Sequence, residues 1–383
     1  MNSTVSGAVD ICILGTGPVA ASLALALARQ GISSALTTAP PPAITAPPTE
    51  DVRTYALNAG SVALLRSLRV WDALPVDAAT AVDAMRIHGD AGGELEFSAW
   101  QQRESALAWI VDAQALDAGL AQALLYAPHV QRVAQPVDAP LQAICEGKNS
   151  AARAAHGVTF KRDAYGHSAL AARIVSDAPH QGVAHQWFRN PEILALLPFD
   201  RPVSNASFGL VWSMPHADAL ARAALSPEDF EAALNDACGP EAGRLRLGSE
   251  RLVWPLAAAH AEPCCGPGWV LLGDAAHQVH PLAGQGLNLG LADVSSLARI
   301  LGQARREEAW RSLGDERLLR RHVRERAWHV RSVSGVSDGL WQLFSRPEDP
   351  VRALRNQGMS LLNKMPTLKR WLVTQAMASD TPS

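Results

Sequence analysis

Asp274 stands at the carboxyl end of a short apolar run, Trp269 to Leu272, and is followed by turn-formers and then by glycines that open a helix. The segment reads Leu271-Leu272-Gly273-Asp274-Ala275-Ala276-His277-Gln278-Val279-His280-Pro281-Leu282-Ala283-Gly284-Gln285-Gly286-Leu287-Asn288-Leu289-Gly290. The apolar run predicts a buried strand. Leu287, Gly290, Leu291, Val294, Leu297, Ala298 and Leu301 recur at helical spacing. A carboxylate where a strand ends can accept hydrogen bonds from a polyol. Glycines ahead of a helix leave N–H groups bare at the positive end of its dipole, a place for a polyanion or an electron-rich ring. The same residues suit a plain strand–loop–helix connection with an N-capping Asp, so both uses stay open. His277 and His280 can move protons, and each equally suits hydrogen bonding within the loop.

A second constellation lies near the N-terminus. A strand predicted from Val9 to Leu14 runs into Gly15-Thr16-Gly17-Pro18-Val19-Ala20, and an Ala/Leu-rich helix follows to Gln30, stopped at Gly31. This is G-x-G-x-x-A between strand and helix, the dinucleotide fingerprint in its required setting. Gly15 makes the tight turn, Gly17 admits a pyrophosphate to the backbone, and Ala20 permits close helix–strand packing. The next strand, Ile32 to Thr37, should end in an acid that binds a ribose; it ends in Thr37-Thr38 and a Pro-rich loop.

The Gly273-to-Asn288 segment with Gly290, extended through Leu291-Ala292-Asp293, resembles the second FAD-binding motif of the flavoprotein aromatic hydroxylases, in their ubiquinone-biosynthesis branch. The resemblance implies that Asp274 binds the ribityl chain and that Pro281, Gly284, Gln285, Gly286, Leu287 and Asn288 run along the isoalloxazine ring. Asp51-Val52-Arg53-Thr54-Tyr55-Ala56-Leu57 is similar to a family segment whose Arg lies against the flavin. Arg53 equally suits pairing with Asp51. At the head of a helix predicted from Ala113 to Tyr126, Gln114 replaces the family's pyrophosphate Arg. Cys145-Glu146-Gly147-Lys148-Asn149-Ser150-Ala151-Ala152-Arg153 keeps the Gly, Ser and Arg of another family motif but has Glu146 for its Asp.

Around these residues, 383 positions with a net charge of −3 leave room for a large core and argue against general nucleic-acid binding. The five cysteines lack CxxC spacing, so a reduced, cytoplasmic chain without a disulfide framework or zinc site is expected. No metal-ligand or Ser–His–Asp spacing occurs. Neither a signal peptide nor a membrane span is indicated. The segment from Asp51 leads into a helix ending near Trp71, and Met85–Gly89 with Glu94–Ala99 reads as a hairpin. From Gly157 to Glu262 the alternation predicts a mostly antiparallel sheet interrupted by one helix, Pro227 to Cys238. Arg305 to Arg331 reads as a solvated helix with pairs such as Glu307–Arg311. Val351 to Met377 reads as two helices whose apolar stripe lies beside Arg352, Arg355, Lys364, Lys369 and Arg370; it suits an anionic membrane surface or packing on the cofactor domain.

The expected fold is α/β: an FAD-binding Rossmann-like domain of the glutathione-reductase type (1–84, 105–156 and 263–330), an inserted mostly antiparallel substrate domain (85–104 and 157–262) and a C-terminal helical region (331–383). With one dinucleotide fingerprint, NAD(P)H has no domain of its own; it or another reductant meets the flavin transiently. The resemblance implies hydroxylation of an aromatic, polyprenylated phenol or benzoquinol by O₂ through a flavin C4a-hydroperoxide, with other ubiquinone-biosynthesis proteins as partners. The three altered positions, Thr37, Gln114 and Glu146, keep a second reading open: a non-catalytic or weakly FAD-binding accessory protein that binds lipid.

Overall fold

The protein is represented by a computed structural model that describes residues 8–38, 51–89, 93–279 and 285–345. His280, Pro281 and Gly284 lie outside the described residues, as do the Pro-rich loop and the C-terminal helices with their basic stripe.

Five strands of four residues or fewer build a parallel sheet in the order Trp269–Leu271, Leu141–Ile144, Ile11–Leu14, Ser34–Thr37, Val130–Val133, with Cys265–Gly266 antiparallel at one edge. Its central strand is apolar on both faces because both faces are covered, as parallel sheets require. Helices Pro18–Ala28 and Gln285–Glu307 pack there, and Leu23, Leu27, Val294, Leu297 and Leu301 share one core with Ile11 and Ile13. Gly31 ends the first helix at φ 70°, a conformation that an L side chain resists.

A nine-stranded mixed sheet forms the second layer. Strand Thr159–Ser176 pairs antiparallel with both Ser207–Pro215 and Leu252–Glu262, and Glu192–Phe199, Val183–Arg189 and the hairpin Ala84–His88/Glu94–Ser98 extend it. One face carries Leu170, Leu194, Phe208, Leu210 and Trp212 against helix Pro227–Cys238. The opposite face turns toward a three-stranded sheet, Thr54–Leu57, Ala108–Asp112 and Ala79–Val82, which joins the two layers. A Cβ on Gly209 would lie 2.8 Å from Thr54 Oγ1, so the layers meet closely at that point.

Several elements differ from the sequence expectations, each for a physical reason. Thr54–Leu57 leads into helix Ala59–Ser67 as expected but is itself a strand, which the sequence did not show because its partner Ala108–Asp112 lies far away in sequence. A second helix, His216–Ala223, interrupts the large sheet; it is only eight residues long and fully buries only Ala219, too short a stretch to stand out among the strands around it. The helix expected from Arg305 to Arg331 is two: one ends at Glu307 and the next spans Glu316–Ser345. Arg311, between them, pairs with Glu308 and Asp315, not with Glu307. The second helix is not merely solvated, since His322 and Arg326 are buried along with Leu318 and Leu319. Buried polar residues and solvated ones look alike in sequence.

Candidate active site

The first glycine loop is fixed from beneath. Gly15 has φ 135°, and a Cβ there would lie 2.4 Å from the Cys145 carbonyl oxygen, so the turn admits no side chain. Gly17 differs: a Cβ there would meet nothing within 4 Å. Gly17 is also the N-cap of Pro18–Ala28 and offers no side-chain cap, so no side chain satisfies the N–H groups of the helix start. That combination is what a pyrophosphate needs. Ala20 is fully buried.

The second turn lies against the first. Strand Trp269–Leu271 ends in a 3₁₀ turn, Gly273–Ala275, which carries Asp274. A Cβ on Gly290 would sit 2.7 Å from Val19 Cγ2 and 3.3 Å from the Gly273 Cα, so helix Gln285–Glu307, the turn and the first helix meet at small residues. Asp274 is open to solvent, although the surrounding protein raises its carboxyl pKa, with His277 and then Lys148 opposing the rise. Gly286 adjoins it: a Cβ there would lie 3.8 Å from Asp274 Oδ1. Gly286 has no left-handed φ, so its use is to leave room, not to bend the chain. Gln285 and Leu287 flank it in the first turn of the same helix, each half-buried.

Asn288 turns the other way. It is buried, its Oδ1 accepts from Asn58 N (3.0 Å) and Ser61 Oγ (2.7 Å), and its Nδ2 donates to Ala56 O (2.8 Å). It clamps the long helix to strand Thr54–Leu57. His277 is buried too: its Nε2 is 2.7 Å from Asp293 Oδ2, while its Nδ1 has no hydrogen-bond partner among the described residues. Burial works against a charge on His277, but Asp293 outweighs it and holds the imidazole pKa above its usual value. Asp293 also accepts from Gly273 N (3.0 Å) and Arg326 Nε (2.8 Å). Burial opposes its charge; the partners overcome this and keep it far below the usual carboxylate range.

Arg53 forms a bidentate pair with Asp51 and is half-exposed. Its carbonyl accepts from Ala113 N (3.2 Å), which places the start of helix Ala113–Leu125 beside it. Gln114 is exposed in the first turn of that helix. Asp112 caps the helix through Ala115 N and forms a buried ion pair with Arg173 (2.6 Å), whose guanidinium also reaches Asp51 O. Tyr55 and Asp117 complete this corner. Burial pushes the Tyr55 hydroxyl up to about 12, and Arg53, Asp117, Asp51 and Asp274 all act on it. The sequence did not single these two out; alternation from Arg53 and the i, i+3 step from Gln114 were the available signals.

Two altered positions are occupied by the protein itself. Thr37 Oγ1 accepts from Gly15 N (2.9 Å) and donates to Ile13 O (3.3 Å). Its hydroxyl hydrogen is committed to the turn, which leaves only an acceptor lone pair for a ribose. Glu146 Oε2 accepts from Ser150 Oγ (2.7 Å) and Ala152 N (2.9 Å), capping helix Ala151–Ala155. Arg153 is buried, donating to Ala275 O and Lys148 O.

On the large sheet, the face turned toward Thr54 presents several small side chains among larger ones. Ala169 pairs with Ser213 and Ser213 with Ile193; Ala171 pairs with Val211 and Val211 with Ala195. Trp254, opposite Ala169, walls this floor. Ser213 Oγ is buried and has no hydrogen-bond partner among the described residues.

Residues 126–334 match the FAD-binding-domain family. The chain is 30% identical to the 3-demethoxyubiquinol 3-hydroxylase of Escherichia coli over 403 residues, covering 96% of this chain and 98% of that protein. It is 27% identical to the ubiquinone hydroxylase UbiL of Rhodospirillum rubrum, covering 97% and 90%. In fold it is similar to the p-nitrophenol 4-monooxygenase PnpA from Pseudomonas putida, with a TM-score of 0.75 at 15% identity over 98% of this chain and 99% of that one. It is likewise similar to an HpxO variant from Klebsiella pneumoniae complexed with FAD, with a TM-score of 0.72 at 16% identity over 96% and 99%. Two glycine turns closed on each other at Val19 and a family match across more than half the chain lead to one conclusion: this protein belongs to the FAD-dependent aromatic hydroxylases, in their ubiquinone-biosynthesis branch.

Proposed function

We propose that the protein hydroxylates the ring of a polyprenylated phenol or benzoquinol, an intermediate of ubiquinone biosynthesis, using FAD, O₂ and electrons from NAD(P)H or another reductant. The observation that carries this is the contact of the two turns through Val19, Gly273 and Gly290, which sets the uncapped helix start at Gly17 beside the turn bearing Asp274. FAD, when bound, supplies activation of O₂. The rest falls to the chain. Gly15, Gly17 and Ala20 shape the pyrophosphate turn, Gln114 donates to it, and Asp274 accepts from the ribityl hydroxyls. Gly286 keeps the adjoining surface open for the ring system, with Gln285 and Leu287 beside it. Pro281, Gly284 and the proton-transfer candidate His280 belong to this assignment by sequence. Asn288 supports it as a clamp and Arg53 as a neighbouring charge that Asp51 holds.

The domain division proposed is the one read from sequence, with residues 157–262 supplying the substrate floor. Ala169, Ala171 and Ala195 are the small side chains proposed to lie toward the ring, and Ser213 is the buried hydroxyl available to orient a ring oxygen. No helix of the described residues is long and apolar enough to cross a membrane. Peripheral membrane contact and association with other ubiquinone-biosynthesis proteins are part of this proposal, because the substrate is a lipid. Thr37, whose hydroxyl is committed to the first turn, supports weaker holding of the adenosine ribose than an acidic residue would give, and the Glu146 carboxylate is already taken by Ser150 and Ala152. The absorption spectrum of purified protein, with product analysis on prenylated phenols, tests the reading. Bound oxidised flavin and a ring-hydroxylated product are expected; protein that takes up no FAD would favour the accessory role.

A further inference from the structure

Asp293 and Arg326 lie behind the Gly273–Ala275 turn, and neither adjoins the open space at Gly17. Asp293, 2% exposed, is a three-way acceptor: Gly273 N–H from the turn, His277 Nε2 just after it, and Arg326 Nε from helix Glu316–Ser345. Arg326, 3% exposed, also reaches Leu289 O (3.4 Å) on the helix that carries Asp293. A buried carboxylate with three donors is held in one place, and so is the turn it binds.

We propose that Asp293 and Arg326 are positioning residues for cofactor binding, holding the Asp274 turn and His277 from behind. This rests on the assignment of that turn to FAD. The four side chains alternate in sign: the Arg326 guanidinium, the Asp293 carboxylate, the His277 imidazole and the Asp274 carboxylate. Asp293 favours a charged His277, whereas Arg326 disfavours it. A charged imidazole beside Asp274 in turn favours the ionised acceptor. FAD affinity is therefore coupled to the proton on His277.

Other titratable groups face this cluster. His260 lies across the strand pair from His277, and Lys148 faces Asp274. His322, whose neighbour Glu325 lies on the same helix, is pushed down to about 4 by burial and stays neutral at working pH. Cys145 and Cys264 are pushed up by burial and stay thiols.

The test is FAD titration of apoprotein from pH 6 to 9, followed by flavin fluorescence. Wild-type affinity is expected to fall as pH rises through the raised His277 pKa, by up to about tenfold per pH unit, the limit for one linked proton. His277→Gln is expected to abolish that slope and His260→Gln to leave it. The two positioning residues should move the inflection in opposite directions. Asp293→Asn removes the partner that favours the charge and shifts it to lower pH. Arg326→Met removes the opposing cation and shifts it to higher pH, whereas Arg326→Lys leaves it in place. Equal loss of affinity at every pH in both Asp293→Asn and Arg326→Met means a merely structural role and overturns the proposal, as does a slope that survives His277→Gln. Wild-type protein that binds no FAD overturns both this inference and the assignment beneath it.

Discussion

Gln114 is exposed in the first turn of its helix, where the family resemblance implies an arginine, and it has no charge to offer a phosphate. Gln114→Arg adds charge-assisted hydrogen bonds worth about 1.5–3 kcal/mol each in favourable geometry, so FAD affinity should rise about tenfold or more. Titration of apoprotein measures this, and equal or weaker affinity would place residue 114 away from the phosphate. The glycines divide by mechanism. Gly15→Ala meets the Cys145 carbonyl at φ 135° and should lower the melting temperature as well as flavin content. Gly286→Val has no left-handed φ to oppose; it should fill the space beside Asp274 and abolish flavin retention while the fold stays intact. Ser213→Ala should raise KM for the phenol with little change in flavin content, and an unchanged KM would remove Ser213 from the substrate floor.

The residues legible in the sequence are those whose roles are local. Gly15, Gly17 and Asp274 announce a turn because the strand, the turn and the helix are consecutive. Thr37 and Asn288 did not announce their work, since it depends on what lies across from them: Gly15 for Thr37, and Asn58 and Ser61, over 200 positions away, for Asn288. Likewise Arg326 looked like one more solvated arginine until its helix was folded onto Asp293.

At the scale of elements, the strand Thr159–Ser176 and the helix Ala113–Leu125 are tied by the Arg173–Asp112 pair, both side chains 3% exposed. Breaking a buried pair by removing one partner costs about 3–5 kcal/mol, so Arg173→Met should lower stability by that order in chemical denaturation. Acid should loosen two other elements. Burial, reinforced by His88 and Arg86, pushes His185 on strand Val183–Arg189 down to about 4; burial does the same to His322 despite Asp293. Both have folded values below the ordinary 6.5, so their contribution is fully present above 6.5 and is lost as pH falls toward 4. Each adds up to about 1.4 kcal/mol per pH unit in that window. His277 runs the opposite way, its contribution fading as pH rises above 6.5. Melting temperature should fall between pH 6.5 and 4.5, and His185→Phe should flatten part of the slope; an unchanged slope would mean that His185 is protonated in the folded state. The strands of the large sheet were readable from alternation and those beside the glycine turns from their apolar runs, but Val130–Val133, Leu141–Ile144 and the joining strand Thr54–Leu57 were not, because their pairing is non-local.

At the scale of the whole molecule, two layers meet at Thr54 and Gly209, and Asn288 ties the helix of the second glycine turn to the strand that carries Thr54. The lipid nature of the proposed substrate adds a further expectation. Replacing Lys364, Lys369 and Arg370 with Glu should reduce flotation with anionic liposomes at low salt, each charge adding about 1 kcal/mol near such a surface, and leave the flavin spectrum unchanged. Wild-type protein that never floats would assign delivery of the lipid to a partner protein. The measurement that bears most directly on the central claim is oxygen transfer itself. Purified protein supplied with FAD, a demethoxyubiquinol-type lipid, NAD(P)H or a chemical reductant, and oxygen-18 gas is analysed by mass spectrometry. One labelled oxygen in a new ring hydroxyl, lost in Gly286→Val, is the predicted result. Full FAD occupancy, with all the consumed oxygen recovered as peroxide and no labelled lipid from any prenylated phenol or quinol tried, would contradict the account.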